Sequence, residues 1–142
     1  GLFSQTTSEK LLDLSETTTK DISDFMGRPE GTGHPLGRVL AEASTEEVAT
    51  AYYLADALIE RAAKLTAANL SSAAIKSGKG HNPCRPVCIV AEGTTFYHLK
   101  TLRQKVEYYL KQYLVDQQHI YYEVVEVENA TLIGAAIAGL TN

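Results

Sequence analysis

The stretch Pro86-Val87-Cys88-Ile89-Val90-Ala91-Glu92-Gly93-Thr94-Thr95-Phe96-Tyr97 decides the fold class. Its first half is a short, continuous apolar run rich in β-branched side chains, the pattern of a strand covered on both faces and found mostly in parallel sheets. Cys88 falls inside that run and is expected to behave as a small buried hydrophobe. Glu92-Gly93-Thr94-Thr95 ends the run. An amphipathic helix is predicted next over residues 98–114, with Leu99, Leu102, Val106, Tyr109, Leu110 and Tyr113 on its inner side.

Upstream, Ser44-Thr45-Glu46-Glu47 is a capping box: the Ser44 hydroxyl accepts a backbone N–H while Glu47 reaches back. Apolar or small residues then recur at three- and four-residue steps from Val48 to Ala73, predicting one helix to about Lys76, with Gly78 and Gly80 as stops. The alanines around Ala63 and Ala67 allow another element to approach closely. Asn69 lies near the stripe and is either ligand-facing or satisfies a neighbouring backbone group.

Downstream, residues 120–127 read as a second strand. Asn129 is a candidate N-cap for a last helix over residues 132–140, so apolar and glycine-rich that burial against a sheet is expected. The order helix, strand, helix, strand, helix makes the two strands parallel. The fold class is therefore α/β and mostly helical, with a long helix and two parallel strands over residues 44–142. Residues 1–43 are irregular, with short helices expected at 8–14 and 19–26 and a Gly/Pro-rich connector from Gly27 to Gly37.

The 142 residues suffice for a real core, and the formal charge of −4 gives no broad attraction to nucleic acid or to an anionic membrane. The basic residues of the 98–114 segment read as a solvated face. No apolar stretch reaches membrane-spanning length and no secretory leader pattern is present, so a cytoplasmic location is expected. Gly1 rather than Met opens the chain, which reads as a piece of a longer protein. Cys84 and Cys88, even with His81, fall short of a tetrahedral zinc set. Gly31-Thr32-Gly33-His34-Pro35-Leu36-Gly37 lacks the GxGxxG spacing, and no Walker loop, HExxH helix or GxSxG elbow occurs. Asn129-Ala130-Thr131 matches a glycosylation sequon, read here as structural.

The segment with chemical content is 91–97. In open α/β sheets ligands bind at the carboxyl ends of strands. Gly93 permits close backbone approach, and the Thr94 hydroxyl can bond a phosphate oxygen. The same residues serve equally as a turn and N-cap.

Three segments resemble hexokinases, in the family's order and at about its spacing, with a character closest to bacterial members. Residues 58–65 resemble the Arg-Ala-Ala stretch of a long large-domain helix. Residues 86–97 resemble the adenosine motif, an acidic residue then Gly-Ser/Thr after a strand. Residues 127–136 are similar to the closing helix with its Gly-Ala-Ala. Gly1-Leu2-Phe3 also resembles the start of a family segment that leads toward the nucleotide. The likeness covers nearly the whole chain and is least marked over residues 25–45.

The resemblance implies part of an actin-like ATPase (ribonuclease H-like) domain: the C-terminal segment of the large domain of an ATP-dependent kinase that phosphorylates a hexose at its 6-hydroxyl. It places the nucleoside beside Gly93 and an ATP phosphate on Thr94, with Thr95 and His98 lining the adenosine side and Thr6 as a looser nucleotide contact. Where hexokinases usually have Asp-Gly-Ser-Gly before the last helix, this chain has Asn129-Ala130-Thr131-Leu132. The family's catalytic aspartate, phosphate loops and sugar ligands have no counterpart here. The chain alone is thus expected to lack activity, with ATP, Mg²⁺ and hexose bound by the intact parent and the rest of that chain as partner. A two-stranded sheet with open edges also predicts self-association. The alternative is a non-catalytic α/β interaction module.

Overall fold

The computed structural model describes residues 1–141, with Asn142 outside them. Four helices precede the first strand: α1 (Gln5–Leu12), α2 (Thr19–Gly27), α3 (Pro35–Val39) and α4 (Thr45–Ser77). α1 begins three residues before the expected start, because the Ser4 hydroxyl accepts the Thr7 N–H and supplies the cap there. α2 starts from Thr18, whose capping box with Asp21 satisfies donors on both residues.

The Gly/Pro-rich connector is not wholly irregular: it contains α3. His34 is buried and uses its ring as the cap, Nδ1 accepting the Gly37 N–H at 2.9 Å while Nε2–H donates to the Arg28 carbonyl at 3.0 Å. Phe25 packs edge-on against that ring, with centroids 5.9 Å apart. A histidine cap is not part of the usual Ser/Thr/Asp/Asn signal, which is why the pattern hides this helix.

α4 runs 33 residues from the Ser44 capping box to Gly78, which ends it in the left-handed conformation. Its buried line is Ala55, Ile59, Ala63, Ala67, Ser71 and Ala74. Leu58, Ala62, Leu65, Thr66, Asn69 and Ala73 of the predicted stripe are exposed instead. The reason is close approach: Ala63 and Ala67 are fully buried beneath α6 (Leu102–Leu110), so the narrow alanine seam rather than the leucines faces the core. A polar lock flanks this seam. Lys105 Nζ reaches Glu60 at 2.6 Å and Asp56 at 3.2 Å, and the Tyr109 hydroxyl donates to Glu60. The Lys105 and Tyr109 hydrogen bonds lower the Glu60 pKa to about 2.

The two strands, β1 (Val87–Ala91) and β2 (Tyr122–Glu126), pair in parallel with Val87 opposite Tyr122 and Ala91 opposite Glu126. β1 is covered on one face only: Ile89 is buried whereas Cys88 and Val90 are exposed. The buried-both-faces expectation, and a buried Cys88 with it, fails because a helical layer lies on just one side of a two-stranded sheet. Gly80 closes the start of the sheet: its carbonyl accepts the Tyr121 N–H at 2.8 Å, and the Tyr121 carbonyl accepts the Val87 N–H at 2.9 Å.

The segment expected as one helix over residues 98–114 is three elements. A one-turn helix α5 (Thr94–His98) comes first, then α6, then a π-helical turn at Lys111–Asp116. Thr101 breaks the run with a left-handed φ of 67° between α5 and α6. Val106 and Leu110 keep the predicted inner face and, joined by Leu114, form the core with Phe25 and Met26.

The last helix, α7, is Ala130–Thr141. Contrary to expectation it is not buried: Leu132, Ile133, Ile137 and Leu140 are exposed. With only two strands the sheet offers no second layer to receive it. Asn129 stands where an N-cap is expected, its carbonyl accepting the Ile133 N–H at 3.0 Å, but with a φ of 56°. The acceptor for the Thr131 N–H comes instead from Glu92. No helix among the described residues is long and apolar enough to cross a membrane.

Candidate functional site

β1 delivers its last residues to a loop at its carboxyl end, and the loop geometry follows from three residues. Glu92 turns away toward α7, where Oε2 accepts both the N–H and the hydroxyl of Thr131 at 2.9 Å. These two hydrogen bonds hold the Glu92 carboxyl below the usual carboxylate range. Gly93 adopts φ 119° and ψ 140°, a conformation that side-chain-bearing residues rarely take. Thr94 then starts α5. Tyr97 folds back over the strand end, its hydroxyl donating to the Ala91 carbonyl at 3.1 Å, and the Arg103 guanidinium lies 5.4 Å from the Tyr97 ring centroid.

Thr94 and Thr95, both exposed, border two cavities. The first, about 470 Å³, is a largely apolar cleft between sheet and helices, reaching Ile89, Leu102, Val106 and Leu110. The second, about 550 Å³, lies between α5 and α2 and is lined by Lys20, Ser23, Asp24 and His98 among others. Both fall within the size range of small-molecule sites. A third hollow of about 340 Å³ on the other side of Gly93 is ringed by Glu92, Glu126 and Glu128. Three carboxylates there oppose an anion, whereas in the second cavity the one acidic side chain, Asp24, is ion-paired with Lys20 at 2.8 Å. Of the Asn129-Ala130-Thr131-Leu132 departure, Asn129 lines that hollow.

The structure thus brings together Gly93, Thr94, Thr95 and His98. Thr6 is apart from them: it sits exposed on α1 and lines neither cavity beside Thr94. Three residues escaped the sequence reading: Glu92 as a cap for α7, and Ser23 and Lys100, which tie α2 to the corner after α5. Their partners lie 39 to 77 positions away, beyond any local pattern. Among the described residues no three His, Cys, Asp or Glu side chains gather into a set that could hold a metal.

A family model described as Hexokinase matches residues 1–141. Comparison with curated proteins and with solved structures returns no match.

Proposed function

This chain belongs to the hexokinase family, and we propose that it forms the nucleotide end of an ATP-dependent hexose kinase, as the C-terminal part of the large domain. In this reading Gly93 lets the backbone approach the nucleoside, the Thr94 hydroxyl bonds an ATP phosphate, and Thr95 with His98 lines the adenosine side. The phosphoryl group passes to the 6-hydroxyl of a hexose held by the rest of the kinase chain. The observation that carries the reading is the position of Gly93-Thr94-Thr95: at the carboxyl end of a parallel strand, between two cavities of ligand size.

Phosphoryl transfer depends on holding a nucleophile, the metal and the γ-phosphate in line. Mg²⁺ bound to the nucleotide would neutralise charge on its phosphates, and no His, Cys, Asp or Glu set among the described residues of this chain would be needed to hold it. The residues of this chain bind and orient one end of the nucleotide, and the chain alone is inactive. Thr94→Val in the intact kinase tests this reading. Removing a ground-state phosphate contact raises the KM for ATP more than the KM for sugar, and an unchanged ATP dependence removes Thr94 from the site. The alternative, a non-catalytic interaction module, draws its support from the exposed apolar residues of α7. An intact protein that phosphorylates none of glucose, mannose and fructose with ATP favours that alternative.

A further inference from the structure

The second cavity has two walls that chain connectivity does not join. One is the α5 turn; the other is α2, some seventy positions earlier, and a single hydroxyl fastens them. Ser23 Oγ donates to the His98 carbonyl at 2.9 Å and accepts the Lys100 N–H at 3.1 Å. It therefore grips both sides of Leu99 at once. Lys100 returns the contact: its Nζ donates to the Met26 carbonyl at 2.6 Å, in the last turn of α2, where a cation also meets the negative end of the helix dipole.

The corner held in this way departs from helical geometry at two positions. α5 is a single turn, Leu99 has left helical geometry with ψ 116°, and Thr101 follows at φ 67°. A backbone that leaves one helix and enters the next through a left-handed non-glycine residue is over-determined only if its neighbours hold it. The two groups Ser23 satisfies, the His98 carbonyl and the Lys100 amide, are among those that lie at the break between α5 and α6, where helix ends leave backbone groups without intrahelical partners.

We propose that Ser23 is a positioning residue for nucleotide binding: acting through the His98 carbonyl and the Lys100 amide, it sets the distance between α2 and the Thr94–His98 turn, with Lys100 as its second fastening. The inference rests on the reading of Thr94 and His98 as the nucleotide-facing residues. It adds that the width of the second cavity, and so the affinity for ATP, is controlled from α2.

The test uses Ser23→Ala, Ser23→Thr and, in parallel, Thr94→Val in the intact kinase, with Mg²⁺-ATP and sugar varied separately. Ser23→Ala raises the KM for ATP about threefold or more, leaves kcat and the KM for sugar in place, and is rescued by Ser23→Thr, which keeps the hydroxyl. Amide exchange on the 142-residue chain supplies the readout independent of catalysis: Ser23→Ala speeds exchange at Lys100 and through residues 94–101 but not at Val106. If Thr94→Val weakens ATP binding and Ser23→Ala does not, the positioning role is wrong while the nucleotide site stands. If Thr94→Val has no effect but Ser23→Ala shifts the KM for ATP, the Thr94 assignment falls and the role of Ser23 survives. Equal losses in kcat and in both KM values, or unchanged exchange at residues 94–101, overturn the proposal.

Discussion

Glu92 and Thr131 are 39 positions apart, yet one carboxylate oxygen of Glu92 accepts both the backbone N–H and the hydroxyl of Thr131 at 2.9 Å. The first turn of α7 is therefore capped from the end of β1, in place of a side chain just ahead of the helix. The Thr131 donors lower the Glu92 pKa, so the ionised form is the one the fold favours. A depressed carboxyl contributes stability above its unfolded value of about 4.3 and loses it as pH falls through the lower folded value. Amide exchange at Thr131 is expected to be slow and constant from neutral pH down to about 5, corrected for intrinsic rates, and then to lose its protection. Glu92→Ala removes that protection at every pH. A Thr131 amide equally protected in the variant sinks the capping role.

Ala67 is fully buried in the seam between α4 and α6, whereas Leu58, on the same helix, is 63% exposed. Ala67→Leu forces extra volume into the seam and costs about 1–3 kcal/mol by chemical denaturation. Leu58→Ser stays within about 0.5 kcal/mol. The reverse ranking contradicts the assignment of the core face.

Gly78 and Gly80 both have positive φ, at 65° and 86°, but differ in surroundings. A Cβ on Gly78 meets open space, so Gly78→Ala costs only the conformational penalty, about 1 kcal/mol. A Cβ on Gly80 falls 2.7 Å from the Tyr121 carbonyl oxygen and 2.8 Å from a Val87 methyl. Gly80→Ala must push apart the start of the sheet and lowers the denaturation midpoint by clearly more than Gly78→Ala.

Thr101 combines a left-handed φ of 67° with a buried hydroxyl that has no hydrogen-bond partner among the described residues. Thr101→Gly relieves both and is expected to stabilise the protein by about 1 kcal/mol in thermal or chemical unfolding. A loss of stability of that size shows instead that the methyl group's packing outweighs the strain.

What local pattern can reveal here is set by how far each interaction reaches. The capping box at Ser44, the left-handed stop at Gly78 and the parallel pairing of β1 with β2 all follow from residues adjacent in sequence or from element order. The loop Gly93-Thr94-Thr95 at the strand end is legible for the same reason. The face of α4 is legible in part: the buried Ala55 and Ile59 and the close approach at Ala63 and Ala67 are as expected, but periodicity also counts Leu58 and Leu65, which face water. α7 reads as buried because its composition reports only what the helix prefers, and two strands provide no layer to satisfy that preference. The ties from Ser23 to His98 and from Glu92 to Thr131 leave no mark on local sequence at all.

The parallel pairing of Val87 with Tyr122 bears on the order in which the chain folds. No hairpin can nucleate such a sheet, because the helical crossover of α5, α6 and the π-helical turn separates the two strands. The seam of α4 and α6 is the better covered of the two, with Ala63, Ala67, Val106 and Leu110 fully buried, whereas β1 buries Ile89 alone. The Gly93-Thr94-Thr95 loop then belongs to a less protected part of the molecule than the seam, with faster amide exchange expected along β1 than at Val106 and Leu110. A ligand bridging Thr94 and α2 would close that gap in protection, adding by binding a cover that the single helical layer leaves off.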